Sequence, residues 1–376
     1  MRDVLYSFAG SWRVGKGGKY LWKTLGIFWL LAAFSPCVAG AQDFAIVSPQ
    51  AVKGLASQAG TSEGKYAISM AKKNLGRQPS RMAHVHVQGI QKPEIYDPNS
   101  AALGELGAMR DLALAYRLTG DKAYLNQATI FMDAWVTDYQ FSYHPIDESD
   151  FDWLILADDL CREDFSPELQ SKVNGFLRKL VEGYLASIAS QKTPDIKNWQ
   201  SHRIKLITMG AYALGDQRLV DKAEALFKKQ VAANIKPDGS VLDFYERDAL
   251  HYQAYDLEPL LEAADAAHAH GKDWFHWRSD TGSSLAGGVQ WLVPYAEGEK
   301  THQEFVHTNN SYDTQRLQAG VAEFNRIWDP KDGLKTLGLA APLDPEFRTI
   351  VDRLRAKPGY YVNHWIVLAI WPQNRN

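Results

Sequence analysis

From Ser100 onward, apolar residues recur at three- and four-residue spacing across more than 200 residues, with little of the alternation that marks strands. The spacing predicts helices over 150–160, 167–189, 198–214, 219–233, 247–270, 282–293 and 311–327, preceded by one that opens at Ser100 as its N-cap. Upstream, 51–75 reads as helix and His84-Val85-His86-Val87 alternates like a short strand, while Lys92-Pro93 and Asp97-Pro98 break regularity. One hairpin type occurs twice. Leu118-Thr119-Gly120-Asp121 and Ala213-Leu214-Gly215-Asp216 each end an apolar helix at Gly and restart one at Asp, with Ala128 and Ala223 at matching places beyond. Glycine supplies a left-handed helix end and Asp accepts from the free N–H groups of the next helix. Recurring helical hairpins imply stacked helix pairs. A solenoid usually shows stronger repeat identity, so the expected architecture is all-α, an (α/α) toroid with a cleft built by loops at one end. No Ser-, Gly- or Pro-rich linker divides it, and 42–376 is read as one domain.

The first 41 residues change that picture only by dropping out of it. Arg2, Arg13, Lys16, Lys19 and Lys23 form a basic lead, Leu25 to Phe34 an apolar run, and Ala39-Gly40-Ala41 a small-residue cleavage site. This pattern predicts a signal peptide, with a periplasmic or secreted product and no membrane span after cleavage. Cys161 would then be the one cysteine left, so the fold must stand on its core, for which about 335 residues suffice. A net charge of -3 argues against a nucleic-acid partner. The 12 Trp, 17 Tyr and 15 Phe suit a core and equally a sugar-binding cleft.

Chemistry concentrates in two segments. Asn198-Trp199-Gln200-Ser201-His202-Arg203 places Asn198 and His202 one helical turn apart on one face. The plain structural alternative is a helix-capping Asn198 and a semi-buried, hydrogen-bonded His202. Arg247-Asp248-Ala249-Leu250-His251-Tyr252 follows the turn Lys236-Pro237-Asp238-Gly239-Ser240, and Tyr252 falls off the apolar stripe Leu250, Ala254, Leu257, Leu261. Its plain alternative is an interfacial tyrosine beside an arginine paired to Glu246 or Asp248. A polar loop carrying His302, His307, Asn309 and Asn310 either lines a subsite or is a solvated connection. His84-x-His86 and His268-x-His270 lack a carboxylate or Cys set at ligand spacing, so no metal is expected. Nucleotide-binding and Gly-x-Ser-x-Gly signatures are absent from the sequence, and no cofactor is expected.

These residues, with Tyr143-His144-Pro145-Ile146-Asp147-Glu148, Pro237-Asp238-Gly239-Ser240 and the Trp291 to Lys300 block, resemble the alginate lyase superfamily. The similarity runs in order over about residues 80 to 330, and is greatest to polysaccharide lyase families 5 and 38. It implies an (α/α) toroid, an acidic polysaccharide partner, and β-elimination on a 1,4-linked polyuronate, alginate or glucuronan, by a monomer. By position, Tyr252 corresponds to the catalytic tyrosine, acid to O4 and a candidate base. His202 corresponds to the catalytic histidine, as base or carboxylate neutraliser. Arg247 would bind the carboxylate and lower the tyrosine from its reference pKa of about 10. Family 5 carries an asparagine directly before the histidine, where this chain has Ser201; Asn198 is the substitute, with Gln200 next. Trp199, Gln200, His251, His307 and Asn310 are candidates for substrate contact. The competing readings are a glycoside hydrolase, drawing two carboxylates from Asp147, Glu148, Asp150 and Asp152, and a non-catalytic glycan-binding protein.

Overall fold

Helix boundaries in this chain fall where local turn chemistry sets them. A computed structural model describes residues 43–87, 98–321 and 324–374; the expected leader, 1–41, lies outside the described residues. In chain order the helices are α1 (Pro49–Gly54), α2 (Ser62–Lys72), α3 (Pro98–Thr119), α4 (Lys122–Asp138), α5 (Phe151–Cys161), α6 (Pro167–Ala189) and α7 (Asn198–Ala213). Then follow α8 (Gln217–Asn234), α9 (Leu242–Arg247), α10 (Leu250–Ala269), α11 (Leu285–Ala296), α12 (Ser311–Gln318), α13 (Leu334–Ala340) and α14 (Pro345–Arg355). Both expected hairpins form. Gly120 and Gly215 take positive φ (72° and 61°), and the Asp121 and Asp216 side chains accept from the Ala123 and Arg218 N–H groups.

Burial sorts the helices into two layers. In α7 every residue except Trp199 is buried, and α5 and α10 are buried around nearly their whole surface. Such helices belong to an inner layer, since a helix buried all round has no solvent face. By contrast α6, α8 and α14 bury one stripe each, such as Phe347, Ile350, Val351 and Leu354 of α14. The inner order follows the contacts: α3 packs on α5, α5 on α7, α7 on α10, and α10 on α13. The turn Ile366–Ile370 touches both α13 and α2, closing the ring, and His364 Nε2 bonds Asp111 of α3 at 2.9 Å. Each fully buried Leu or Phe in this core contributes about 1.5–3 kcal/mol. The architecture is the all-α toroid expected from the sequence. Among the described residues the only β-pairing is two isolated bridges, and no helix is long and apolar enough to cross a membrane.

Five stretches differ from expectation. The helix expected to open at Ser100 as its N-cap begins earlier, with Pro98 as the first residue of α3. The 51–75 helix is split, because Thr61 caps α2 by accepting from Gly64 N–H at 3.0 Å after a turn at Leu55–Gln58. The 84–87 stretch is extended but unpaired with another strand; its His86 and Val87 N–H groups go to Asn99 and Asp147 side chains. The 247–270 helix breaks at Asp248, which adopts a left-handed φ of 50° and separates α9 from α10. The 311–327 helix stops at Gln318, ahead of Gly320 at φ 70°. Two helices that the apolar spacing did not single out, α13 and α14, complete the ring.

Candidate active site

Two inner helices begin at the same cleft, and neither brings its own cap. At the start of α7, Lys197 offers no side-chain acceptor; Asp243 of α9 instead accepts from the Asn198 backbone N–H (2.8 Å) and Nδ2 (3.0 Å). At the start of α10, Glu304 accepts from the Leu250 and His251 N–H groups at 2.8 and 3.1 Å. Carboxylates from other elements thus satisfy the orphan donors and fix where both helices start. The left-handed Asp248 turns the chain sharply between Arg247 and His251; its carbonyl accepts from Phe305 N–H, and its carboxylate from His307 N–H. Gly239, at φ 97°, is required nearby. A Cβ there would sit 2.2 Å from the Gly287 carbonyl oxygen of α11.

The cleft holds about 620 Å³ and is walled by Asn198, Trp199, Arg247, His251, Tyr252 and Asn310, all named from sequence. The Arg247 guanidinium lies 3.9 Å from the Tyr252 ring centre. It also forms a two-pronged ion pair with Asp313 of α12, instead of the expected pair with Glu246 or Asp248. Glu246 pairs with Lys197, and Asp248 with His307. Burial pushes the Tyr252 phenol above its ordinary pKa, and the downward pull of Arg247 does not overcome it. The expected net lowering is therefore reversed in the free protein, and the phenol holds its proton at neutral pH.

His202 lines a second cavity of about 270 Å³, deeper in the ring, which shares Val87, Ile146 and Tyr255 with the cleft. Its Nδ1 lies 2.7 Å from Ser149 Oγ, and its buried Nε2 has no partner. Burial, then the charges of Lys205 and Lys335, hold it well below the usual histidine pKa, so it is neutral. Tyr255 joins the two spaces. Its ring is 4.6 Å from His202 and 6.0 Å from Tyr252, and stacks on His251 at 5.6 Å.

Not every sequence candidate gathers here. Gln200 lines a separate cavity of about 80 Å³ with Ile188 and Leu226, and His307 is exposed outside the cleft wall. Asn198 spends its backbone and side-chain donors on Asp243, and Asn310 caps α12 by accepting from Tyr312 N–H. The structure adds Tyr255, Tyr312 and Arg316 to the walls. Tyr255 was legible as the residue one turn beyond Tyr252, and Tyr312 and Arg316 as an i,i+4 pair on α12, where the guanidinium sits 4.5 Å over the ring.

The carboxylates expected to serve a hydrolase do not gather in the cleft, whose acidic wall residues are Asp195, Asp243 and Glu246, bonded to Arg203, Asn198 and Lys197 respectively. Asp147, Glu148, Asp150 and Asp152 are all absent from the cleft wall. Glu148 is core, accepting from Tyr139, Tyr184 and Ser142, and Asp152 is paired with Lys205 at 2.6 Å. Among the described residues no three His, Cys, Asp or Glu side chains are grouped to hold a metal ion.

Comparison with known proteins agrees with this reading of the fold. The alginate lyase family model matches residues 56–302, more than half of the chain. A polysaccharide lyase of Stenotrophomonas maltophilia (strain K279a) is 26% identical over 171 residues, 45% of this chain; the match spans about half, 49%, of that relative's length. The crystal structure of an alginate lyase from Bacteroides ovatus superposes with a TM-score of 0.65 at 18% identity, over 88% of this chain and 100% of that one. Alginate lyase A1-III from Sphingomonas species A1 gives 0.57 at 14% identity, over 87% and 97%. At such identities the two structures speak for the shared ring fold, and the family model speaks for descent: the chain belongs to the alginate lyase family.

Proposed function

We propose that this protein is a secreted or periplasmic polysaccharide lyase that cleaves a 1,4-linked polyuronate, alginate or glucuronan, by β-elimination. The observation that carries the proposal is the continuous row Arg247, Tyr252, Tyr255 and His202, running from the cleft into the ring. Trp199 and His251 offer flat faces at the wall for sugar rings.

Elimination removes the C5 proton, breaks the C4–O4 bond, forms the C4=C5 bond and protonates the departing O4. The C5 hydrogen becomes acidic only when the C6 carboxylate is neutralised by hydrogen bonds or positive charge. The Tyr252 phenol, holding its proton, is the acid toward O4. Arg247 lies over the ring, fixes its position and adds positive charge on that side of it. His202 is either the base at C5 or a donor to the carboxylate, depending on which nitrogen carries its hydrogen. Ultraviolet absorbance of the unsaturated product, followed on polymannuronate, polyguluronate and glucuronan side by side, tests the reading. It expects a rise on at least one polymer. New reducing ends without that absorbance would mean hydrolysis, and silence on all three would favour a binding protein.

A further inference from the structure

His202 is held by two side chains to which the elimination itself assigns no task. Ser149 lies just before α5, with its Oγ 2.7 Å from His202 Nδ1 and 3.1 Å from Lys205 Nζ. Lys205 is three residues beyond His202 in α7, so both reach the same space. All three are buried, at 8%, 5% and 4% exposure for Ser149, His202 and Lys205.

The direction of each hydrogen bond follows from the donor inventory. An ammonium only donates. Lys205 Nζ donates to Asp152 Oδ2 at 2.6 Å and to Ser149 Oγ, and faces Glu262 Oε2 at 3.5 Å. Ser149 Oγ therefore accepts from Lys205 and has one hydrogen of its own to place. Among the described residues the acceptor in reach of that hydrogen is His202 Nδ1. A neutral imidazole that accepts at Nδ1 carries its hydrogen on Nε2. Nε2 is the nitrogen left without a partner, on a residue that lines the cavity joined to the cleft at Tyr255.

We propose that Lys205 and Ser149 form a relay of fixed polarity that locks His202 in the Nε2–H tautomer, so that it meets the substrate as a hydrogen-bond donor to a carboxylate and not as the base. Lys205 and Ser149 are positioning residues, acting through His202. The ligand in this statement rests on the lyase reading; the tautomer does not. With Nε2 already bearing hydrogen, removal of the C5 proton falls to the Tyr252 oxygen, which first releases to solvent the proton that the phenol holds in the free protein. That oxygen then returns the proton to O4 as the C4–O4 bond breaks, which balances the reaction without a second acid.

Nitrogen NMR of the full chain labelled at histidine tests the relay without substrate, with the His202 signals assigned by their loss in His202→Gln. The expected pattern at neutral pH is a bare, pyridine-type Nδ1 and a hydrogen-bearing, pyrrole-type Nε2. The reversed pattern, or an imidazolium, would overturn the proposal. Ser149→Ala should erode this pattern and lower kcat about 10- to 100-fold with little change in KM, the scale seen on losing an outer partner that fixes an imidazole's tautomer and orientation. Ser149→Thr, which keeps the hydroxyl, should restore both. An unchanged tautomer in Ser149→Ala would remove the relay from the account. Absence of any unsaturated product from the wild type would end the lyase reading while the NMR result stood on its own.

Discussion

The cleft and the inner cavity share Tyr255 yet hold their charges by opposite means. At the cleft, Lys197 pairs with Glu246 where both side chains are partly exposed, at 42% and 33%. In the inner cavity, Lys205 and Asp152 are paired at 5% and 4% exposure, with Glu262 buried beside them and the partly exposed Lys335 at the edge. Exposed pairs are screened and contribute roughly 0–1 kcal/mol, whereas breaking one partner of a buried pair costs about 3–5 kcal/mol. The wall keeps its charges in solvent, and the floor holds buried charges around one imidazole. Arg247 stands between the two, with a cleft-facing stack on Tyr252 and a buried partner in Asp313.

That contrast can be broken or sharpened by substitution. The largest effect belongs to Tyr252→Phe, which keeps the ring under Arg247 and removes the proton carrier; turnover should fall about 10²- to 10⁴-fold with unchanged melting temperature and retained polymer binding. His202→Ala comes next, at about 10²- to 10³-fold in kcat, the scale of a lost oxyanion donor. If either variant keeps wild-type turnover, its assigned role is wrong. Lys205→Met should lower stability by about 3–5 kcal/mol in denaturant unfolding, because Asp152 is left charged and buried; Lys197→Gln should change it by no more than about 1 kcal/mol. Equal losses in the two would erase the distinction between floor and wall.

A smaller effect should appear in the pH dependence of stability. Burial raises the Glu262 carboxyl to about 8, with Lys205 pulling down and Asp152 pushing up. A carboxyl that binds its proton more tightly when folded adds stability fully present below its unfolded pKa of about 4.3 and lost as pH rises through its folded value. Wild-type melting temperature should therefore decline between mildly acidic pH and about pH 8 more steeply than that of Glu262→Gln. Parallel curves would show that Glu262 keeps no proton in the fold.

How much of this was written in the sequence depends on the range over which each feature is decided. The hairpins at Gly120-Asp121 and Gly215-Asp216 are decided locally, since one residue ends a helix and the next begins another. α14 was written just as locally, with Asp344 capping ahead of Pro345 and a single apolar stripe, but its short span was passed over. The break at Asp248 was not legible. A non-glycine residue there is held left-handed by Phe305, His302 and His307, which lie more than 50 positions away. For the site, Tyr252, His202 and Arg247 were reachable through family resemblance, because motif order survives sequence drift. Their partners were not: Asp313 for Arg247, Ser149 for His202 and Asp243 for Asn198 come from distant segments whose meeting only the closed ring decides.

The central claim is that the Arg247–Tyr252 pair in this cleft drives elimination. Its most direct test is the ultraviolet absorbance of product formed by wild type and Tyr252→Phe on the three polyuronates, at equal protein and with folding checked by melting temperature. The account predicts a steady rise for the wild type on at least one polymer and a trace indistinguishable from buffer for a fully folded Tyr252→Phe. Matching rises from both proteins would contradict it and move the chemistry away from Tyr252.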